Sequence, residues 1–337
     1  MLSKRTVSEL GERALIERIT ARLALPSWVI VGPGDDAAVI EPVRAWLDVL
    51  TTDAQVEGVH FDRRFVPADA IGHRALAVNL SDLAAMGAEP RAALLSLMLP
   101  DALDVSEVDG ILDGILALAA THRVALVGGN ITRSPGPVIV DVTAIGAVHP
   151  RRVLVRGGAR PGDEVYVTGS IGEGAVGLRS LQEDAPVCEQ RFLRPDPRVR
   201  AGLMLGRNRA ASACMDMSDG LADAASQVAA ASKVGMTIEA AALPIADAVR
   251  KWHTARGEDP VMAALSGGDD YELFFTARPN QRGRLREARR HMGDLPVTKI
   301  GVVTKDTRVV IRTGDGEQPL PEGFQHFSAG RKDPPHA

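Results

Sequence analysis

The chain has 337 residues, a net charge of −4 and only 4% aromatic residues. This length exceeds what one hydrophobic core usually supports, so we expect two domains. No basic stripe is present, which argues against a nucleic-acid partner. Two cysteines without a C-x-x-C spacing argue against a disulfide framework or a zinc site. The sequence also lacks a signal-peptide core and a long uncharged apolar run, so we expect a cytoplasmic protein without a membrane partner.

The first third of the chain mixes helical and extended patterns. Ser8 is predicted to cap an amphipathic helix that ends before Pro26. Short β-rich runs follow and predict strands of a meander, at residues 28–31, 37–40 and 45–50. The last run leads into Thr51, Thr52 and Asp53, which we expect at the end of a strand. Residues 68–86 are predicted to form a helix.

Four aspartates in this region lie among small and apolar residues, with almost no Lys or Arg close in sequence. They are Asp35, Asp36, Asp53 and Asp82. Carboxylates brought together without cations would repel each other, and a divalent metal ion removes that problem. Hard cations such as Mg²⁺ take oxygen ligands, so we interpret the four as one metal-binding constellation. The alternative is that they are ordinary turn and cap aspartates.

The chain continues with strand, helix and strand patterns at residues 92–99, 105–121 and 124–127, an alternation typical of α/β layering. The segment GGNITR (128–133) follows the last of these strands. Two glycines at a strand end allow a phosphate to approach backbone amides, although Gly-Gly is also common in ordinary turns. A basic, Gly- and Pro-rich stretch at 149–163 marks the predicted domain boundary. We expect domains at 1–149 and 150–329 and a disordered tail at 330–337.

The second half begins with a predicted strand at 164–168. The segment 191–202 carries four arginines, which either approach phosphate or simply lie on the surface. In MDMSDGL a predicted strand delivers Asp216, and Asp219 is expected to cap the following helix. No G-x-x-x-x-G-K-[ST] and no H-R-D with a later D-F-G is present. If phosphate is handled, metal ions and backbone amides must do most of the work.

A series of motifs runs in a fixed order: GDDAAV, TTDAQVEGVHF, NLSDLAAMGA, GGNITR, RPGDEVYVTG, LRPDPR, MDMSDGL and SGGDDYELFFT. In order and spacing this series resembles the thiamine-monophosphate kinase family, of the aminoimidazole ribonucleotide synthetase-like superfamily. The resemblance spans roughly Gly32 to Phe327. It implies a two-domain α/β (α+β) fold in which the N-terminal domain contributes strands to a dimer barrel and the C-terminal domain closes over ATP. A homodimer is therefore expected.

The resemblance implies transfer of the ATP γ-phosphoryl group to thiamine phosphate, with several Mg²⁺ ions. The implied Mg²⁺ ligands are Asp36, Thr51, Thr52, Asp53, Asp82, Asn130, Asp216 and Asp219. Gly129, Asn130, Arg156 and Ser218 would lie at ATP, and His60, Asp269 and Phe324 at thiamine phosphate. No general base is assigned, because a phosphate monoester is already largely ionised near neutral pH.

Two positions depart from the family pattern. The family usually has Asp where this chain has Asn130, and Glu where it has Asp269. Asn keeps a carbonyl oxygen but loses the charge. This departure leaves open an alternative function, a metal- and nucleotide-binding paralogue with reduced or lost turnover.

Overall fold

The computed structural model describes residues 5–321 and residue 323. The chain divides into two compact units. Unit 1 comprises the residues up to Leu83 together with Glu89–Pro150, and unit 2 comprises Ala84–Ala88 and the chain from Arg151 onward. The fold is the mixed helix and strand, two-unit architecture expected from the sequence.

Unit 1 contains four helices and six strands among its described residues. The helices are α1 (Val7–Leu10), α2 (Glu12–Thr20), α3 (Ala68–Ala85) and α4 (Val105–His122). The strands are β1 (Val29–Val31), β2 (Val39–Ile40), β3 (Leu47–Val56), β4 (Glu89–Leu99), β5 (Ala125–Arg133) and β6 (Ile139–Val148). The expected cap at Ser8 is wrong. Thr6 caps α1 through a capping box with Glu9, and Gly11, with φ +82°, separates α1 from α2.

The central sheet of unit 1 has the strand order β3-β6-β4-β5, and β1 and β2 form a separate two-stranded sheet. The predicted meander is therefore wrong for the third run, which pairs with β6 rather than with β2. One face of the central sheet packs against α3, because a Cβ at Gly146 of β6 would lie 3.2 Å from the Leu83 side chain, and β5 contacts α4. The two helices cross closely, because a Cβ at Gly72 of α3 would lie 1.8 Å from the Ile111 carbonyl oxygen of α4.

The other face of this sheet is only partly covered. A small cluster packs Trp28, Val29 and Ile40 of the β1–β2 region against Ala92 and Val127. Further along this face, Leu50 of the edge strand β3 is 67% exposed. Within the described chain the sheet is open at β3 and at β5. The barrel expected from two copies of this sheet stays a prediction.

Unit 2 is built around a seven-stranded sheet with the order β13-β12-β9-β11-β7-β10-β8. Its strands are β7 (Glu164–Thr168), β8 (Ala213–Asp216), β9 (Gly235–Glu239), β10 (Leu273–Ala277), β11 (Val297–Thr304), β12 (Val309–Thr313) and β13 (Gly316–Pro319). Its helices are α5 (Glu173–Gln182), α6 (Glu189–Leu193), α7 (Val199–Asn208), α8 (Leu221–Ser232), α9 (Asp247–Ala255), α10 (Pro260–Ser266) and α11 (Arg282–Arg290). The pairing is antiparallel except between β12 and β9.

The core of unit 2 consists mainly of small and aliphatic side chains from this sheet and from α8. Ala224, Ala225 and Val228 of α8 are fully buried against strand residues such as Val167 and Met236. Small side chains let the helix approach the sheet closely, which agrees with the low aromatic content of the sequence. The ends of β8 and β10 are held by this packing, and both carry residues of the candidate site.

Candidate functional site

The residues Thr51–Asp53 lie within β3 and not at its end, so the predicted strand end is wrong. The strand continues to Val56 because Thr51–Val56 pairs in register with Ile139–Ala144 of β6. Successive side chains of a strand point to opposite faces. Thr51 Oγ1 donates a hydrogen bond of 2.5 Å to Asp82 Oδ2 of α3. Asp53 lies two residues further and therefore faces the same helix.

Thr52 faces the opposite side of the sheet. Its hydroxyl contacts the Thr143 hydroxyl at 3.0 Å and donates to Asp141 Oδ1 at 3.2 Å. This side of the sheet borders a cavity of about 700 Å³, and Asp35 and Asp36 line it as well. The oxygen-bearing side chains of unit 1 therefore form two groups, one on each face of the sheet.

The predicted single constellation of four carboxylates is therefore wrong as a side-chain cluster. Asp53 and Asp82 lie on the α3 side, whereas Asp35 and Asp36 border the cavity. Within residues 5–321, no three His, Cys, Asp or Glu side chains gather closely enough to hold a metal ion by themselves. The physical reason is the alternation of β3, which the sequence interpretation missed by ending the strand at Leu50. The metal-ligand roles of the individual residues stay predictions.

Asn130 and Gly129 also line the cavity, but they lie in β5 and not in a turn. Asn130 pairs across the sheet with Ser96, which in turn pairs with Asp141. A Cβ at position 129 would stand 1.9 Å from the backbone oxygen of Leu95. Gly129 is therefore required by the close approach of β4 and β5, whether or not a phosphate also lies against it.

Asp141 is a member of this group that the sequence interpretation did not select. It is the charged residue of β6, which is otherwise apolar except for Thr143, and it lies on the half-buried face. The sequence could have indicated Asp141, because in a strand it shares a face with Thr143 two residues later. Asp141 belongs to the cavity wall together with Thr143 and Asn130.

His60 follows β3 in a turn. The backbone N–H of Val56 donates to His60 Nδ1 at 3.1 Å, and the backbone N–H of His60 donates to the Val56 carbonyl. Because Nδ1 accepts a hydrogen bond, the ring proton of the neutral form lies on Nε2. His60 can therefore present an N–H donor to an anionic or carbonyl group, which suits its expected place at thiamine phosphate.

In unit 2 the structure brings four of the expected residues together. Asp216 ends β8, and the following loop carries Ser218 and Asp219, while Asp269 precedes β10. The two loops are joined by backbone hydrogen bonds, since the Asp269 N–H donates to the Ser218 carbonyl at 2.8 Å and the Tyr271 N–H to the Met217 carbonyl at 3.0 Å. The carboxylates of this group are thereby placed on neighbouring loops at one end of the sheet.

Asp219 does not cap the following helix, so that prediction is wrong. The N-cap of α8 is Gly220, without a side-chain hydrogen bond, and the Ser218 hydroxyl instead contacts Asp219 Oδ2 at 3.3 Å. Asp216 is only 5% exposed, whereas Asp219 is half-buried. Asp269 has φ +65°, and its Oδ1 accepts a hydrogen bond from the Tyr271 hydroxyl. Backbone conformations of this kind are concentrated at functional sites.

Arg156 reaches the same helix by a chain of hydrogen bonds. Its Nη1 donates to Gln227 Oε1 at 2.6 Å, and Gln227 Nε2 donates to Asp223 Oδ2 at 2.6 Å. Gly323 lies against Asp219 and Asp223, because a Cβ there would be 2.9 Å from the Asp219 carbonyl oxygen. Phe324, expected at thiamine phosphate, lies outside the described residues.

A buried ion-pair cluster was missed in the sequence. Glu272 is 0% exposed and accepts hydrogen bonds from Thr168, Arg191 and Arg198. Two of the arginines that were expected at phosphate or on the surface therefore neutralise an internal carboxylate. The neighbouring Asp270 accepts from two backbone amides of the turn that begins α5, and burial raises the pKa of its carboxyl to about 7.

The candidate ligand atoms of unit 1 fit Mg²⁺ by their chemistry, since all are oxygens of carboxylates, hydroxyls and amides. A further observation supports the fit. Gln55 and Asn79, on the same β3 and α3 surfaces as Asp53 and Asp82, each carry a buried side-chain oxygen without a hydrogen-bond partner among the described residues. Such an acceptor needs a donor, and hydrated cations supply strong ones.

Both units match one domain family. The description "AIR synthase related protein, N-terminal domain" matches residues 34–148, and "AIR synthase related protein, C-terminal domain" matches residues 160–314. The folds of the two units thus define a protein of the AIR synthase related class. Among the described residues, no helix combines the length and apolar content needed to cross a membrane.

Comparison with individual relatives identifies the family within this class. The chain is 39% identical over 329 residues to a thiamine-monophosphate kinase of Escherichia coli K12, covering 94% of this chain and 98% of the relative. A crystal structure of thiamine-monophosphate kinase from Stenotrophomonas maltophilia K279a superimposes with a TM-score of 0.80 at 40% identity, covering 91% and 97%. A structure of AaThiL complexed with AMPPCP and TMP gives a TM-score of 0.75 at 34% identity, covering 97% and 100%. The chain belongs to the thiamine-monophosphate kinase family.

Proposed function

We propose that this protein catalyses the Mg²⁺-dependent transfer of the ATP γ-phosphoryl group directly to thiamine phosphate, giving thiamine diphosphate and ADP. The observation that carries the proposal is the near-complete alignment of both units with a relative complexed with AMPPCP and TMP. The family membership makes the chain a kinase of thiamine biosynthesis. No observation favours the alternative of a binding paralogue without turnover.

The residues proposed for the metal ions are those implied by the motifs, namely Asp36, Thr51, Thr52, Asp53, Asp82, Asn130, Asp216 and Asp219. When bound, Mg²⁺ would neutralise the phosphates of donor and acceptor and align them for in-line transfer. Within unit 1 most of these oxygens lie on β3, β5 and α3, and within unit 2 they lie at the end of β8 and on a loop that backbone hydrogen bonds join to the loop of Asp269. This placement supports catalysis by positioning.

We place ATP against Gly129, Asn130, Arg156 and Ser218, and thiamine phosphate against His60, Asp269 and Phe324. His60 Nε2–H suits a phosphate or carbonyl oxygen, and the Asp269 carboxylate suits a cationic or amino-bearing heterocycle. Tyr271 already donates to Asp269 Oδ1 and so holds this carboxylate in place. We assign no general base. The homodimer and the cytoplasmic location expected from the sequence remain part of this proposal.

The test is to incubate purified protein with ATP, Mg²⁺ and thiamine phosphate, and to quantify thiamine diphosphate and ADP by chromatography. We expect both products in equal amounts, and none from free thiamine. Formation of thiamine diphosphate from free thiamine with release of AMP would indicate a pyrophosphokinase instead. Absence of any product under saturating Mg²⁺ would leave the binding paralogue as the function.

A further inference from the structure

Two buried amide side chains behind the carboxylates of unit 1 lack hydrogen-bond partners for their oxygens. Gln55 is 4% exposed and Asn79 is 0% exposed. Gln55 Oε1 and Asn79 Oδ1 accept no hydrogen bond from any described residue. A buried acceptor left without a partner costs about 1–3 kcal/mol. Such groups are rare in folded proteins and call for a physical explanation.

The orientation of Asn79 is fixed by its other atom. Asn79 Nδ2 donates to the Ala75 carbonyl at 3.0 Å, one turn earlier in α3. The amide nitrogen is thereby occupied by the backbone of its own helix, and the oxygen is directed elsewhere. Arg74, the buried cation of the same helix, lies five residues before Asn79 and so about 140° around the helix axis.

Both oxygens belong to the surface that carries two candidate metal ligands. Asp53 and Gln55 are two residues apart on β3 and face the same side, and Asn79 and Asp82 are three residues apart on one face of α3. These two faces meet, because Thr51 Oγ1 donates to Asp82 Oδ2. These four side chains form a polar layer between β3 and α3. Asp53 and Asp82 are half-buried, whereas the two amides are buried, so the amides form the inner end of this layer.

Carboxylate and amide oxygens only accept hydrogen bonds, and two of these oxygens, Gln55 Oε1 and Asn79 Oδ1, receive none from the described residues. Mg²⁺ gives up its water ligands reluctantly and usually keeps several of them. Each coordinated water is a strong hydrogen-bond donor, and a partner that orients such a ligand tunes the affinity of the site. The inner end of the layer offers two acceptors without another partner among the described residues.

We propose that Gln55 and Asn79 are positioning residues for a Mg²⁺ ion held by Asp53 and Asp82, and that their side-chain oxygens accept hydrogen bonds from water coordinated to that ion. The proposal rests on the proposed function, because it deepens the metal site of that reaction. The amides touch the ion only through its water, so they set its affinity and its position without supplying charge.

The test compares thermal unfolding of the wild type, Asn79→Leu and Gln55→Leu over a Mg²⁺ series, without nucleotide and again with a non-hydrolysable ATP analogue. Leucine is close in volume to these amide side chains, and it removes the oxygen that lacks a hydrogen-bond partner. Without Mg²⁺ we expect Tm to stay the same or rise. The Mg²⁺ concentration that gives half of the Tm increase should rise by about 10- to 100-fold, the usual effect of removing such a partner.

Asn208→Leu is the matched control. Asn208 Nδ2 donates to the Met204 carbonyl at 2.9 Å, the same bond to the residue four positions earlier, but on α7 of unit 2. This variant should keep the wild-type Mg²⁺ midpoint. If Asn79→Leu does not fold, as judged by circular dichroism, Asn79→Ala and Gln55→Leu give the result.

Unchanged Mg²⁺ midpoints in the variants would overturn the proposal, and so would a wild type that does not respond to Mg²⁺ in either condition. A lower Tm without Mg²⁺ combined with an unchanged midpoint would mean that the amides are merely structural. Turnover is measured separately. A wild type that makes no thiamine diphosphate, but whose Mg²⁺ response is lost in Asn79→Leu, would refute the proposed function and leave this inference standing.

Discussion

Replacing Glu272 by Gln should destabilise unit 2 strongly, because this carboxylate is the anion of the buried ion-pair cluster. We call this cluster of Glu272, Arg191, Arg198 and Thr168 the Glu272 clamp. Glu272 is 0% exposed, and it accepts 2.6 Å hydrogen bonds from Arg191 Nη2, Arg198 Nε and Thr168 Oγ1. Gln in its place loses the charge and turns an N–H₂ group toward a guanidinium donor. Breaking a buried ion pair by neutralising one partner costs about 3–5 kcal/mol.

The assay follows unfolding in urea by tryptophan fluorescence. The chain has three tryptophans, and Trp252 is the one buried in the core of unit 2. In a Trp28→Phe, Trp46→Phe background, its signal reports unit 2 alone. Glu258→Gln is the matched control, because Glu258 also pairs with an arginine, Arg179, but its side chain is 34% exposed. We expect a much smaller loss there, since exposed ion pairs are screened by water.

A double-mutant cycle with Arg198→Met tests whether the clamp acts as a unit. The side chain of Arg198 is 12% exposed, so its charge is itself largely buried. Once Glu272 is neutralised, that charge keeps only its ion pair with the exposed Asp196, so removing it should restore part of the lost stability. Equal losses in the free energy of unfolding for Glu272→Gln and Glu258→Gln, or strictly additive effects in the cycle, would refute the proposal that these residues act as a unit.

Four further predictions concern the site and the pH dependence. Asp82→Ala should lower turnover by several orders of magnitude, with little change in Tm in Mg²⁺-free buffer; near wild-type turnover would contradict its role. Asn130→Asp should lower the Mg²⁺ concentration for half-maximal rate, because it adds charge beside a cation; an unchanged requirement would show that position 130 is not a ligand. Asp269→Ala should raise the KM for thiamine phosphate far more than the KM for ATP. Hydrogen bonds from Arg282, Lys299 and Tyr166 lower the pKa of Glu164 from 4.5 to about 2. This carboxylate therefore stabilises the fold above pH 4.5, and the stability is lost as the pH falls towards 2. Glu164→Gln should flatten that part of the curve in acid titrations followed by circular dichroism.

The strand that carries the metal candidates shows why its sequence pattern misled. The apolar run stops at Leu50, but β3 continues to Val56 through Thr51, Asp53 and Gln55, whose side chains face α3. A strand is normally recognised by apolar residues on its buried face. Here the buried face is polar because it builds the candidate site. The apolar pattern that identifies a strand therefore stops where the candidate metal ligands begin, as expected for functional regions.

The Gly-Gly pair of GGNITR misled for a different reason. Two glycines after a buried run are typical of a turn, yet β5 passes straight through them. The requirement for Gly129 comes from the Leu95 backbone in the adjacent strand, 34 positions away in the chain. Close approaches between strands depend on register, which the local pattern of one strand does not contain. In contrast, α3 and α4 were predicted to within a few residues, because long periodic patterns are set locally.

The arginine-rich segment shows how the same limit affects an interpretation of function. Four arginines, two on each side of Pro195 and Pro197, suggested either a phosphate site or a surface. Arg191 and Arg198 instead meet Glu272, 81 and 74 positions away. Their partner lies in SGGDDYEL, directly after the loop that carries Asp269. The Met217 N–H donates to the Glu272 carbonyl, so the clamp also lies against the loop of Ser218 and Asp219. Arg191 and Arg198 therefore help to fix, through Glu272, the loops that present the candidate ligands of unit 2.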